Sequence, residues 1–434
     1  MKRLKVVINR GVILMNAPTS LLLCIIVSIG LFINYYFEND VLSLICTGIA
    51  VIIILFTNRN TLNPTICYFS LFSYLFRYGA YNLSGLVTLT FIARCIISDR
   101  SVGKEACLFI PLYLLTHMLS TNMGEVNFSS VVPFINILSL YFMCHLYNRS
   151  AEQNDLCIKY FLTGHVISSI MGFLKENTRL QWILGIDWLT NIEFYDTTRY
   201  SGISFDCNFY SFVAILALMC LLLRIRSSKH PFCSIVVILF ILFAGSLTYS
   251  KSFFLSAGLC LLIAFLNVSK LIRHRMLKLC IFVGIAMLFF SATVVDVFQI
   301  ITNRFKNNYS MNALTTGRYS LWMMYIRLIF ESLSSFIFGH GFTNRIVAAH
   351  NTFLEMLYKF GLVGCLMDVL YFFLAHRKMR QEKGHVKSIT KTAIYVIFFL
   401  LLFNLSAYSF YSIAVCVFIV WIITGEYSVK EEQL

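Results

Sequence analysis

Charged side chains are scarce in this chain of 434 residues, making up only 13% of it. A soluble protein carries roughly 25% charged residues, which cover its water-facing surface. Hydrophobic residues reach 59%, and the mean hydropathy is +0.77. The shortage of charge therefore excludes a soluble globular protein and predicts an integral membrane protein.

Several short motifs are also missing. The 14 cysteines stand singly, mostly in apolar runs, without a CxxC pair, which favours helix packing over disulfides or metal binding. The basic N-terminus runs into an apolar segment without an Ala-x-Ala-like cleavage site, so we expect an uncleaved first span. No HExxH motif, carboxylate cluster or outer DxD triplet is found, so neither a metal nor another cofactor is expected.

Continuous apolar runs fill most of the chain, and they do not alternate residue by residue as β-barrel strands would. The fourteen candidate runs are 18–37, 41–57, 63–81, 83–98, 105–121, 129–147, 157–174, 207–223, 232–249, 252–268, 279–297, 352–375, 389–407 and 410–425. Since the third and fourth are short, the sequence predicts twelve to fourteen transmembrane helices in a single membrane domain spanning residues 1–434.

The net charge of +15 could suit a nucleic-acid partner, but its distribution argues against one. Lysines and arginines lie in short clusters between apolar runs, such as 224–229, 270–278 and 377–387, as the positive-inside rule describes. The chain is therefore expected to contact a lipid bilayer, with both termini cytoplasmic. Two long connections, 175–206 and 298–350, then lie outside, and the outer face is the expected working face.

The second long connection contains a predicted amphipathic helix from Tyr319 to Leu333, with Thr315 or Thr316 as its cap. One face of this helix combines Arg318, Trp322, Tyr325 and Ile329. Arg318 stands at the helix start, where backbone amides also favour an anion. An interfacial helix with snorkelling arginines is the alternative, and it suits Arg327 better than Arg318.

The same connection ends in two further features. A tight turn, FGHGF, contains His340 and is expected to bring the chain back to the next span. His350 and Asn351 open that span, with Asn351 as a candidate N-cap, while Glu355 and Lys359 could form a helix-surface pair. A titratable imidazole at a span mouth beside a basic connection favours a functional role for His350.

The first long connection and the following short one supply the remaining candidates. Arg199, Asp206 and Asn208 stand just before a span, and either Asp206 or Asn208 could simply cap it. Lys251 is predicted at the outer edge between two spans with almost no loop, which suggests a buried-rim site or a snorkelling anchor.

Four candidate residues thus come from separate parts of the outer face: Arg199, Lys251, Arg318 and His350. Paired cations stabilise a diphosphate leaving group, because negative charge accumulates on it as its bond breaks. Histidine titrates near neutral pH and can accept the proton of an attacking hydroxyl. The set therefore favours group transfer from an anionic, lipid-linked substrate.

These segments resemble the superfamily of bacterial O-antigen polymerases (Wzy) and O-antigen ligases (WaaL). The similar motifs are TGRYSLW, FGHGF, HNTFLEMLYKFGLVG, SGISFDCNF and TYSKS, within roughly residues 195–365. Earlier spans match only as generic hydrophobic helices. Cys207 stands where the family commonly has proline, and Lys251 stands where arginine is usual, which loses bidentate geometry. The Arg-x10-Gly pattern of some polymerases is absent after Arg199 and Arg318.

The resemblance implies a GT-C-like membrane enzyme of the bacterial inner membrane. Its donor would be an undecaprenyl-diphosphate-linked oligosaccharide, transferred with inversion and without a metal. Arg318 and Arg199 would hold the diphosphate, Lys251 would assist, and His350 would activate the acceptor hydroxyl. The supporting residues would be Asp206, Asn208, His340, Asn351 and Glu355. A chain-length regulator is a further candidate partner.

A polymerase of O-antigen or capsular polysaccharide, whose acceptor is another lipid-linked repeat unit, is the preferred interpretation. A ligase that transfers the glycan to lipid A–core is the close alternative. A flippase or other transporter predicts ionisable residues in mid-span, where only Arg77, Arg94 and Asp368 come near. A single-sugar transferase would place an acid after the first span, as Glu38 and Asp40 are, although a short polar turn explains both.

Overall fold

The described part of the chain consists of α-helices and one short β-hairpin. A computed structural model describes residues 15–37, 39–79, 81–120, 128–147, 150–176, 200–204, 206–224, 231–248, 250–268, 317–341, 347–379, 388–409 and 411–425. The expected span at 279–297 and most of both long connections lie outside these residues, as do Glu38, Arg199, Thr315 and Thr316.

Fifteen helices occur in this part of the chain. They are α1 Ala17–Phe37, α2 Asp40–Phe56, α3 Arg59–Phe69, α4 Ser84–Ser98, α5 Arg100–Leu119, α6 Phe128–Leu146, α7 Ala151–Glu176, α8 Cys207–Arg224, α9 Pro231–Ser246, α10 Lys251–Val268, α11 Arg318–Ile329, α12 Leu333–Phe338, α13 Thr352–Met379, α14 Ser388–Phe403 and α15 Ile413–Gly425. Short 3-10 turns cover Ser70–Phe72 and Ala407–Ser409, and strands β1 Arg77–Tyr78 and β2 Tyr81–Asn82 pair in antiparallel fashion.

Among the described residues, five helices are long and apolar enough to cross a membrane, namely α1, α5, α7, α8 and α13. Seven other apolar helices of the described residues are shorter, at 10–17 residues. On α1 the large outward side chains are apolar: Leu22, Ile26, Ile29 and Ile33. Its inward side carries the buried Cys24 and Ser28. Exposing such an apolar stripe to water is unfavourable, whereas exposing it to lipid is not. The expected all-α membrane class is therefore confirmed.

The third apolar run does not form one helix. Helix α3 ends at Phe69, a 3-10 turn follows, and the chain then enters the β-hairpin. Arg77 lies exposed in that hairpin with its guanidinium 3.8 Å from the centre of the Tyr74 ring. Arg77, one of the three charged residues that came nearest to mid-span in the sequence, therefore lies in a hairpin and not within a helix.

Hydrogen bonds of Asn39 and Asp40 hold the turn between α1 and α2. Asn39 caps α2, because its side-chain oxygen accepts from the backbone N–H groups of Val41 and Leu42. Asp40 Oδ1 accepts from the N–H of Gly79, which occupies the left-handed region at φ 52° in the hairpin turn. These contacts agree with the short polar turn expected around Asp40.

In the described residues, contacts between helix ends fall into two sets. One set joins Asn208 to Ser250 and Arg318 to Asn404. We call this end of the bundle the His350 end, because His350 also lies there. The other joins the α4–α5 junction and α5 to neighbouring helices: Arg59 and His145 approach Asp99, and Lys378 approaches Glu105. Between the ends, α8 is buried along its length from Phe209 to Leu222 and forms the centre of the core.

Candidate functional site

Helix α11 begins the candidate site. Its first residue is Arg318, and the preceding Gly317 adopts the left-handed region at φ 82° without a side-chain cap. The helix ends at Ile329, so the predicted extension to Leu333 is wrong. Ser332 begins a new helix there, because its hydroxyl oxygen accepts from the N–H of Ser335.

The predicted shared face of α11 packs against the chain that leads into α13. Tyr325 and Ile329 are buried. Trp322 Nε1 donates to the Ala349 carbonyl at 2.9 Å, and the Tyr325 hydroxyl donates to the Val347 carbonyl at 3.0 Å. Burial, reinforced by the Glu355 carboxylate, raises the pKa of Tyr325 above its usual value, so this hydroxyl remains a donor. These hydrogen bonds therefore hold the backbone of Val347 and Ala349, just before His350, against α11.

Arg318 extends from the start of this face to the connection between α14 and α15. One guanidinium nitrogen lies 3.3 Å from the Asn404 carbonyl oxygen and 3.2 Å from its side-chain oxygen. The side chain is half-buried. Arg318 is thus held at the His350 end of the bundle, whereas Arg327 lies exposed on the same helix.

The FGHGF turn docks on a break in α13. Gly361 leaves the helical region at φ 63°, ψ −170°, and the backbone N–H groups of His340 and Gly341 donate to the carbonyls of Tyr358 and Lys359 at 2.8 and 3.0 Å. A Cβ on Gly339 would lie 2.5 Å from the Gly361 nitrogen. The predicted turn is therefore a close contact between two glycines, which seats the connection on the helix.

His340 belongs to this contact. Its ring stacks on Tyr358 with centroids 4.6 Å apart, and its Nε2 lies 2.8 Å from the Leu328 carbonyl. Since a carbonyl only accepts, Nε2 carries the proton of this hydrogen bond. His340 thus ties α11 to α13.

His350 stands immediately before α13 in a strained backbone conformation. It has φ 49°, the left-handed region that residues other than glycine seldom occupy. Its backbone N–H donates to the Ser406 hydroxyl oxygen at 3.1 Å. Asn351 is buried and accepts from the N–H groups of Phe353 and Leu354 at 3.1 and 3.2 Å, which confirms the predicted N-cap.

Glu355 holds this corner together from inside. Its side chain is 2% exposed, and Oε1 accepts from the Ala349 N–H at 2.7 Å and from the Ser406 hydroxyl. In the described residues it forms no ion pair with Lys359, so the predicted surface pair is wrong. The carboxylate instead reaches back past the helix start, where buried donors need an acceptor.

The other predicted residues gather at the start of α8 and α10. Asp206 Oδ1 accepts from the N–H groups of Asn208 and Phe209 at 2.7 and 3.2 Å, so Asp206 caps α8. The Ser250 hydroxyl donates to Asn208 Oδ1 at 3.2 Å. Lys251 is exposed, which fits a snorkelling anchor better than a buried rim, whereas Ser250 beside it is buried.

Hydrogen bonds therefore gather Arg318, His350 and Glu355 around the α14–α15 connection, and a second group comprises Asp206, Asn208 and Lys251. Helix α10 packs on α14, which links the groups. Sequence reasoning missed Asn404 and Ser406. Their signal was a pair of polar residues near the end of the apolar run 389–407.

This corner combines an arginine at a helix start with an imidazole in a fixed backbone conformation. The arginine can bind an anionic oxygen together with the first backbone amides of α11. The imidazole can accept a proton from a nearby hydroxyl. No group of three metal-ligating side chains occurs among the described residues.

No known protein family model matches the chain, and neither the curated proteins nor the solved structures include a match. The membrane class and the local geometry therefore carry the functional argument.

Proposed function

We propose that this chain is a membrane-embedded glycosyltransferase that polymerises undecaprenyl-diphosphate-linked oligosaccharide units into O-antigen or capsular polysaccharide. The observation that supports the proposal is the meeting of Arg318 and His350 on one connection, Asn404 to Ser406, at one end of the bundle. An anion-binding cation and a base are the two groups that metal-free glycosyl transfer from a diphosphate donor needs.

The proposed reaction is a single displacement at the anomeric carbon. The acceptor hydroxyl oxygen forms the new bond as its proton passes to the His350 imidazole. The bond to the diphosphate breaks with its electron pair, so negative charge grows on the leaving oxygen. Arg318 stabilises that charge, with Arg199 and Lys251 assisting from the neighbouring connections. Attack opposite the leaving group inverts the anomeric configuration.

In this proposal the His350 end faces the periplasm or the cell exterior. The chain then crosses the bacterial inner membrane twelve to fourteen times in a GT-C-like arrangement, with both termini cytoplasmic. The concentration of lysine and arginine in the connections assigned to the inner side supports this orientation. A chain-length regulator would bind from the same outer face.

Complementation of a deletion strain tests the proposed site. We expect His350→Ala and Arg318→Ala to abolish the polymer ladder in surface-glycan electrophoresis, because loss of a general base alone commonly costs about 100-fold or more. Arg327→Ala is the matched control, since it removes an exposed arginine from the same helix. Immunoblots of membranes verify equal insertion. Full activity of His350→Ala would overturn the assignment, and an essential Asp40 alongside it would favour the single-sugar transferase.

The deletion strain itself separates the polymerase from the ligase. Lipid core capped by one repeat unit indicates a missing polymerase, while uncapped core with accumulated lipid-linked polymer indicates a missing ligase. In a cell without lipid A, loss of capsule is the corresponding result.

A transporter of lipid-linked oligosaccharide is the second candidate, because the structure buries Asp368 and His117 together within the bundle. Paired ionisable groups at such depth occur along the pathways of membrane transporters. Accumulation of repeat units on the inner leaflet of the deletion strain would favour this function over polymerisation.

A further inference from the structure

A polar cavity lies between α3, α4, α6 and α15, and none of the candidate transfer residues lines it. Its volume is about 20 Å³. Six of its twelve lining residues carry a hydroxyl or an amide: Ser70, Ser73, Ser84, Thr88, Asn136 and Ser139. The lining that the structure describes contains no lysine, arginine, histidine or acidic residue. The cavity can therefore form hydrogen bonds with a ligand, but it offers no charge to an ion.

Two of the lining side chains are buried with an unused hydrogen-bonding atom. Ser84 is 4% exposed, and Asn136 is 5% exposed. Among the described residues, Ser84 Oγ and Asn136 Nδ2 have no hydrogen-bond partner. Buried polar groups are nearly always hydrogen-bonded, because burial without a partner is unfavourable. Two such atoms on the wall of one cavity point to a ligand that binds both.

The orientation of the Asn136 amide does not affect this conclusion. In the structure its Oδ1 accepts from the Thr88 hydroxyl. If the amide were turned over, Nδ2 would donate to the Thr88 oxygen, and the Thr88 hydroxyl would keep the Ser84 carbonyl, at 3.2 Å, as its acceptor. In both orientations Thr88 binds one polar atom of the amide, and the other polar atom is left for a ligand.

Close packing of α4 on α6 keeps the cavity open. Gly85 follows Ser84 on α4, and a Cβ at this glycine would lie 3.1 Å from Cγ2 of Val132 on α6. The two helices therefore cannot move closer and bring the Ser84 hydroxyl onto the Asn136 amide. A water molecule needs a cavity of roughly 10–15 Å³ and two to four polar partners, so this cavity has room for at least one.

We propose that the cavity is the binding site of a water molecule that bridges Ser84 on α4 to Asn136 on α6. The water oxygen accepts from Asn136 Nδ2, and one water hydrogen is donated to Ser84 Oγ. The Ser139 hydroxyl donates to the Asn136 carbonyl, so its oxygen is an acceptor on the same wall for the second water hydrogen. This site is independent of glycosyl transfer.

The sign of one stability change tests the proposal. Ser84→Ala deprives a bridging water of one partner, so it should raise the unfolding equilibrium constant by about 2- to 10-fold. In a dry cavity the same change would instead remove a buried hydroxyl without a partner, and stability should rise. The assay is unfolding of the full chain in mild detergent as sodium dodecyl sulfate is added. Unchanged or raised stability of Ser84→Ala would overturn the proposal.

Ser43→Ala is the matched control. Ser43 lies on α2, its Oγ is also buried without a partner among the described residues, and it does not line this cavity. We expect Ser43→Ala to leave stability unchanged or raised, which calibrates the replacement of a helical serine by alanine. Equal destabilisation by both variants would contradict a ligand specific to the cavity.

A shared water should also couple the two residues, although no direct hydrogen bond joins their side chains in the described part of the chain. In an Asn136→Leu background the water has already lost its other partner, so Ser84→Ala should lose most of its effect. The same change in the unfolding equilibrium constant in both backgrounds would contradict a bridge.

A cryo-electron microscopy map of the full chain, in lipid nanodiscs with a bound antibody fragment, observes the water directly. We expect a density peak about 2.7–3.2 Å from both Ser84 Oγ and the Asn136 amide, and we expect its loss in Ser84→Ala, Asn136→Leu. A map that shows ordered waters elsewhere in the bundle but none in this cavity would overturn the proposal.

Discussion

Gly361→Ala should detach the FGHGF turn from α13. Gly361 has φ 63° and ψ −170°, and a Cβ there would lie 2.4 Å from the Gly339 nitrogen and from the Ile337 oxygen. Backbone strain in this region costs about 1–3 kcal/mol, and the loss of the two hydrogen bonds from His340 and Gly341 adds about 1–3 kcal/mol. We therefore expect destabilisation of about 2–6 kcal/mol.

The assay is unfolding of the purified protein in mild detergent as sodium dodecyl sulfate is added. Gly258→Ala is the matched control, because a Cβ on this helical glycine meets nothing within 4 Å, and it should leave stability unchanged or slightly raised. Gly339→Ala should resemble Gly361→Ala, since each glycine faces the backbone of the other. The double variant should then cost little more than either single one. A Gly361→Ala protein as stable as wild type would refute the reasoning.

Three further outcomes follow from the same corner and from the opposite end of the bundle. Glu355→Ala should lower transfer activity at least tenfold and stability by about 2 kcal/mol, because it strands the Ser406 hydroxyl and a buried N–H, while Glu355→Gln should recover part of both. Asn351→Ala should cost about 1 kcal/mol in unfolding assays and Asn351→Asp much less, because only alanine abolishes the cap. Burial opposes ionisation of Asp99, but hydrogen bonds from the Ser101 N–H and from His145 prevail and lower its pKa to about 2. The stabilisation that ionised Asp99 provides is therefore complete above the ordinary pKa of aspartate and is lost as pH falls towards about 2. The free energy of unfolding of Asp99→Asn, measured over the same acid range, should lack that loss.

Local patterns in the sequence predicted local structure well. Continuous apolar runs identified the helical membrane class, and the polar residues before α8 and α13 identified the caps Asp206 and Asn351. The helical spacing of Arg318, Trp322 and Tyr325 also predicted a shared face. Each of these features depends on residues a few positions apart, which the helix period relates directly.

Contacts between residues that are far apart in the sequence could not be predicted in the same way. Ser406 meets Glu355 across 51 residues, and Tyr113 meets Asp368 across 255. An apolar run alone could not predict that α3 stops at Phe69, since hydropathy does not distinguish a span from a helix followed by a hairpin. The proposed glycosyl transfer and its orientation across the membrane stay predictions.

The backbone at His350 has a consequence for protein engineering. A side chain in the left-handed region carries a conformational cost that glycine would not incur and asparagine would incur less. A library screened only for resistance to heat should therefore enrich His350→Gly or His350→Asn, even if transfer is lost. Enrichment of these variants under heat selection, followed by their removal when growth requires the glycan, would separate what this position gives to folding from what it gives to the cell.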